Sequence, residues 1–265
     1  MNRTLVAVGL GFVLALGGCS PSSAPGAQDP SRQSEAEYDV ARDLWLRRGK
    51  TREALERALK AVELDPENTD AAHLVALLYL DFCSRGPAEC KLADAERFAR
   101  KAVEQKPDFR EAKNTLAVVL IHQRKAAEAV RLLKPLTEDI LYQTPENAWG
   151  NLGWAYLELG EFEPAIDALR RSIAAQPLFC VGNYRLGLAY EKKGSAQQAR
   201  ESFTRALETQ APGCTQLQEA WAGRARVSMR EGQSDAARAD LERCVALSKS
   251  SIAGKECSSM LAKLK

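Results

Sequence analysis

Apolar residues along this chain recur at helical spacing, in segments that repeat along the chain. That spacing predicts amphipathic helices rather than strands. The pattern repeats at a fixed distance, so internal repeats govern the reading of the fold. The clearest unit runs from Asn147 to Pro177, and its landmarks return 34 residues later: Leu152-Gly153 with Leu186-Gly187, Tyr156 with Tyr190, Gly160 with Gly194, Ala165 with Ala199. Weaker copies follow the same frame. Trp45, Gly49, Ala54, Ala61 and Pro66 mark a first; Ala76, Tyr79, Ala95, Ala102 and Pro107 a second; Leu116, Ala117, Leu120 and Ala129 a third; Trp221, Ala225, Gly232 and Ala237 a sixth. The third lacks the closing proline and carries Pro135 inside its second helix, where a kink is expected.

Small residues where two helices touch, large ones between, and proline closing the second helix closely resemble the tetratricopeptide repeat. The resemblance implies an all-α, right-handed superhelical solenoid. Six repeats are expected at about 35–68, 69–109, 110–145, 146–179, 180–213 and 218–249, all within a folded unit of residues 35–265. Residues 251–264 form a last amphipathic helix, with Ile252, Met260, Leu261 and Leu264 on its apolar side, suited to capping the sixth repeat.

The N-terminus is different. After Arg3, an apolar run from Leu5 to Leu16 is shorter than the roughly 20 residues a bilayer span needs. It suits the core of a signal peptide over residues 1–18. Leu16-Gly17-Gly18-Cys19 resembles the bacterial lipobox, which implies lipidation of Cys19 and membrane anchoring by acyl chains. Residues 19–34, rich in Pro, Ser, Ala and Gly, read as a flexible tether.

Composition narrows the chemistry. Lys and Arg number 37 against 35 Asp and Glu, a net +2 that gives no field for nucleic acid. The two histidines, His73 and His122, read as groove-lining polar residues. Gly49-Lys50-Thr51 ends like a phosphate loop, but Leu44 stands where the loop needs glycine. There is no H-E-x-x-H or G-x-S-x-G motif, and the pattern supports neither an enzyme nor a cofactor beyond the lipid.

With Cys19 lipidated, six cysteines remain, an even number that suggests disulfides in an exported chain. The second repeat is seven residues longer than the others, and its extra loop begins and ends in cysteine, pointing to Cys83–Cys90. Cys180 and Cys214 stand at one edge of neighbouring repeats, and Cys244 and Cys257 join the sixth repeat to the cap. Metal ligation or free core thiols are the rival readings, although no C-x-x-C occurs.

The repeat resemblance also implies which positions of the first helices line the concave face. Carried onto this chain they are Leu77, Leu80, Asn114, Val118, Ile121, His122, Asn147, Trp154, Leu157, Tyr184 and Leu188, with Arg226, Met229 and Arg230 in the sixth repeat. An apolar groove with charged ends suits an amphipathic helix or extended peptide, anchored on Trp154. The alternative is that these side chains pack on one another and leave no open groove.

Lipobox, tether, six repeats and cap together resemble the type IV pilus pilotins, outer-membrane lipoproteins of the Tgl, PilF and PilW kind. The resemblance implies a periplasm-facing, lipid-anchored monomer that binds protomers of the pilus secretin and promotes their localisation and multimer assembly, supporting pilus-dependent motility. The runner-up is a general envelope scaffold lipoprotein serving β-barrel assembly or peptidoglycan enzymes.

Overall fold

The structure, a computed structural model, describes residues 29–86 and 88–264. Within them the chain is helical throughout: α1 Pro30–Leu46, α2 Thr51–Leu64, α3 Thr69–Arg85, α4 Leu92–Gln105, α5 Arg110–His122, α6 Ala126–Glu138, α7 Pro145–Leu159, α8 Phe162–Ala175, α9 Cys180–Lys193, α10 Ala196–Glu208, α11 Gln218–Arg230, α12 Ser234–Leu247 and α13 Ile252–Lys263. A short 3₁₀ turn, Cys214–Gln216, precedes α11.

Each hairpin closes because small residues let its helices approach. Ala54, Ala95, Ala129, Ala165, Ala199 and Ala237, near the start of each second helix, are buried. A Cβ on Gly153 would stand 2.5 Å from Leu169 Cγ, and one on Gly187 2.6 Å from the Phe203 ring. The helix–helix spacing therefore admits no larger residue at these landmarks. Gly160 and Gly194 take positive φ at the turn between helices, the left-handed conformation that ends a helix without a Cβ penalty. In the third repeat Arg124 occupies that place with φ 65°.

Consecutive first helices pack on one another, α3 on α5, α5 on α7, α7 on α9 and α9 on α11, whereas consecutive second helices do not pack to a comparable extent. The first helices therefore line the inside of the curve. α13 packs on α11 and α12, burying Ala253 and Cys257 against the sixth hairpin.

One expectation is corrected. The tether does not extend to residue 34: α1 starts at Pro30, and Asp29 caps it by accepting a hydrogen bond from the Ser31 N–H at 3.1 Å. Ser34 is fully buried, donating to the Ala61 carbonyl at 2.7 Å and accepting from Asn68 Nδ2 at 2.8 Å. Residues 30–34 thus belong to the first repeat, while Cys19 and the signal segment lie outside the described residues. Pro135 lies inside α6, as its place in the repeat predicts, and the helix runs on to Glu138; the backbone bond it cannot make falls in the last turn.

Disulfides join Cys83 to Cys90, Cys180 to Cys214 and Cys244 to Cys257. The first closes the insertion at the end of α3, the second ties the fifth repeat to the turn before the sixth, and the third pins the cap.

Candidate partner-binding groove

Leu77, Leu80, Asn114, Val118, Asn147, Trp154, Leu157, Tyr184, Leu188, Arg226 and Met229 are all half-buried on the first helices, so each keeps some surface towards the concave side. His122 and Arg230 are exposed. Ile121 is the exception. It is only 1% exposed and sits among the core residues shared by α3, α5 and α7, so it is withdrawn from the groove. Trp154, Leu157, Tyr184 and Leu188 are partly buried and also rest on the core.

Trp154 is the meeting point of three repeats. The His122 ring from α5 stands edge-on to it, with centroids 4.9 Å apart and planes at 84°. The Arg185 guanidinium from α9 lies over its face, 4.6 Å from the centroid. Arg185 Nη1 donates to the Gly150 carbonyl at 3.1 Å and to Asn151 Oδ1 at 2.9 Å. Asn151 Nδ2 in turn donates to Asn114 Oδ1 at 3.0 Å. A polar chain therefore crosses α5, α7 and α9 beside Trp154 and holds these side chains in place.

The local field follows from this packing. Desolvation brings the Arg185 pKa down to about 10, the neighbouring Tyr184 acting the other way, so the guanidinium stays charged at neutral pH. Desolvation pushes the His122 imidazole below its ordinary value, and the Arg185 charge pushes in the same direction. Tyr184 is raised to about 12 by burial. Further towards the N-terminus, His73 Nε2 lies 2.8 Å from Thr115 Oγ1 and its ring meets Phe109 edge-on; burial pushes its pKa down to about 4. His73 thus joins α3 to α5 as a neutral ring.

The C-terminal end differs. Glu191, 7% exposed, accepts from Arg226 Nε and Nη2, each at 3.1 Å, and from Arg230. Arg226 Nη1 also reaches Glu256 of the cap at 2.8 Å. Burial lowers the Arg226 pKa, but the bonds to Glu191 and Glu256 outweigh it and raise it overall. Arg224 and Asp240 form a two-point pair at 2.7 and 2.8 Å between α11 and α12. These charges are spent on holding repeats together.

The sequence frame misses Asn151 and Arg185. Both stand at the sixth position of their repeats, on the same helix face as the ninth-position Trp154 and Leu188 but outside the positions carried over. A cation flanked by Tyr184 and Leu186 in a first helix was the available signal.

Among the described residues no group of three or more His, Cys, Asp or Glu side chains is placed to hold a metal, and no helix is long and apolar enough to cross a membrane. A cavity of about 550 Å³ opens on the outer side between α8 and α10, behind α9, and is not continuous with the Trp154 cluster in its lining residues.

Comparison with known proteins fits this architecture. A tetratricopeptide-repeat family model matches residues 150–214 and 184–252. The type IV pilus assembly protein PilF of Pseudomonas aeruginosa is 31% identical over 179 residues, covering 63% of this chain and 66% of its own length, just short of two thirds. The crystal structure of PilW, described as a widely conserved type IV pilus biogenesis factor, superposes with a TM-score of 0.68 at 22% identity, covering 84% of this chain and 96% of that one. A tetratricopeptide-repeat protein from Parabacteroides merdae reaches the same TM-score, 0.68, at 14% identity over 87% of this chain and 83% of its own. Shape alone therefore does not select a function here. This chain is an all-helical tetratricopeptide-repeat solenoid, related in sequence to a type IV pilus assembly protein and sharing its fold with a second pilus biogenesis factor.

Proposed function

We propose that this protein is a lipid-anchored pilotin: it binds protomers of the pilus secretin in its concave groove and promotes their assembly into the stable outer-membrane multimer. The observation that carries the reading is the cluster around Trp154 on the first-helix face. Side chains of three successive repeats converge on Trp154 in a chain whose sequence relation is to a pilus assembly protein. A half-buried tryptophan held by a preformed polar chain is the kind of anchor that dominates protein interfaces. The role is one of holding and releasing a partner, and it requires no cofactor and no second copy of the chain.

The lipobox at Leu16–Cys19 supports anchoring. Acyl chains on Cys19 would keep the groove near the membrane where the secretin multimer forms, with residues 20–29 as the link. A Cys19→Ala protein is expected to accumulate in soluble, folded form and to lose most function. Full function without membrane attachment would refute the anchor.

The test of the whole reading is a membrane immunoblot for heat-resistant secretin multimers in cells with and without the gene. Loss of multimers with secretin monomer retained is the expected result. Multimers at normal level in its absence would leave a general envelope scaffold as the better account.

A further inference from the structure

Arginines at the C-terminal end of the concave face and at its rim have carboxylate partners: Arg226 and Arg230 have Glu191, Arg226 also has Glu256, and Arg110 has Asp139 at 2.7 Å. Arg185 has none within ion-pair distance among the described residues. Its Nη1 is spent on two neutral oxygens, and its plane lies on Trp154. Its Nε and Nη2 make no hydrogen bond there. Those two nitrogens form one edge of the guanidinium fork, the edge that grips a carboxylate with two parallel bonds.

The surroundings supply no substitute charge. Glu158, on the same α7 helix as Trp154, is engaged by Arg124. A half-buried cation without a counter-charge is costly to maintain, and the cost is relieved when an anion is brought to it. The Asn114–Asn151–Arg185 chain meanwhile holds the guanidinium in place, so little order has to be gained on binding.

We propose that the groove recognises an acidic partner segment, seating a carboxylate on the Nε/Nη2 edge of Arg185 with an apolar side chain of the same segment packed on Trp154. This deepens the proposed function and rests on its groove reading; it adds the chemistry that selects the partner. Charge complementarity at the groove centre would then discriminate among apolar segments that fit equally well, since a basic or amide residue at that place leaves the fork unmatched.

The experiment is selection from a random peptide library on the full protein purified from cells, with parallel selections on Arg185→Gln, Arg185→Glu and Trp154→Ala. Wild type is expected to enrich peptides with Asp or Glu close to a large apolar residue, and Arg185→Glu to enrich Lys or Arg there instead. Replacing the selected acid by its amide should weaken binding to wild type about tenfold or more, and to Arg185→Gln less than about twofold. Peptides made with free and with amidated C-termini separate a terminal carboxylate from a side-chain one. Should Arg185→Gln lose helical structure, Arg185→Lys keeps the charge without the fork, and an intermediate loss is expected there. If peptides bind in a Trp154-dependent way without an acidic preference, or lose equally on Arg185→Gln, the proposal is wrong while the groove reading survives. If no selected peptide depends on Trp154, both fall.

Discussion

In the middle of the first-helix face, Arg185 lies over a half-buried tryptophan and is hydrogen-bonded only to neutral oxygens. Two helices further on, Arg226 and Arg230 converge on the buried Glu191, and the cap closes over them through Glu256 and the Cys244–Cys257 bridge. The residue types are the same, but only the second set is internally matched. A solenoid has nearest-neighbour contacts only, so its last repeat has one neighbour fewer and needs extra fastening. The ion network and two of the three disulfides supply it there. The centre, with neighbours on both sides, can leave a cation and an aromatic face unmatched. Matched charge marks structure in this molecule; on the proposed reading, unmatched charge marks recognition.

The sharpest way to break that contrast is Glu191→Gln. It takes the buried partner from Arg226 and Arg230, leaving Arg226 only Glu256, and is expected to cost about 3 kcal/mol, the low end for breaking a buried pair because Arg230 reaches water. Hydrogen exchange should show the loss in α11–α13, with peptide binding at Trp154 unchanged. Equal loss in both places would mean that the two regions are not separable.

Acid probes the joint on the other side of the groove. His73 titrates near 4 in the fold against an ordinary 6.5, so below 6.5 the unfolded chain binds the proton first. Stability is therefore lost as pH falls from 6.5 towards 4, by about 3 kcal/mol. Melting curves of His73→Asn across that range should lack this component.

Trp154→Ala is expected to weaken partner binding by about 30-fold, roughly 2 kcal/mol, with helix content and melting nearly unchanged. A collapsed melting curve would place Trp154 in the core instead. The smallest effect is a gain. Arg124→Gly relieves a positive φ that glycine adopts freely and should raise stability by about 1 kcal/mol in thermal unfolding, less whatever the exposed pair with Glu158 contributes.

The repeats were legible because helix contact demands small residues at fixed places, and Gly153, Gly187 and the alanine series show that demand directly. Cysteine pairings followed from the same frame, which put Cys180 and Cys214 on one edge. The start of α1 was misread because Asp-Pro-Ser is both a tether composition and a capped helix start, and only the burial of Ser34 against Ala61 and Asn68 decides. Ile121 was misplaced because it packs into the core, whereas Leu80 and Leu157 at the same repeat position stay half-buried. Arg185 could not be singled out from sequence, since its lack of a carboxylate depends on which acids neighbouring repeats bring near it.

The most direct test of the central claim is the level of heat-resistant secretin multimers in cells whose chromosomal copy carries Trp154→Ala, with the variant confirmed by immunoblot at normal abundance in the membrane. If the centre of the groove is where the partner is held, multimers fall sharply while secretin monomer persists. Multimers at wild-type level would contradict the account and place the protein's work on another surface.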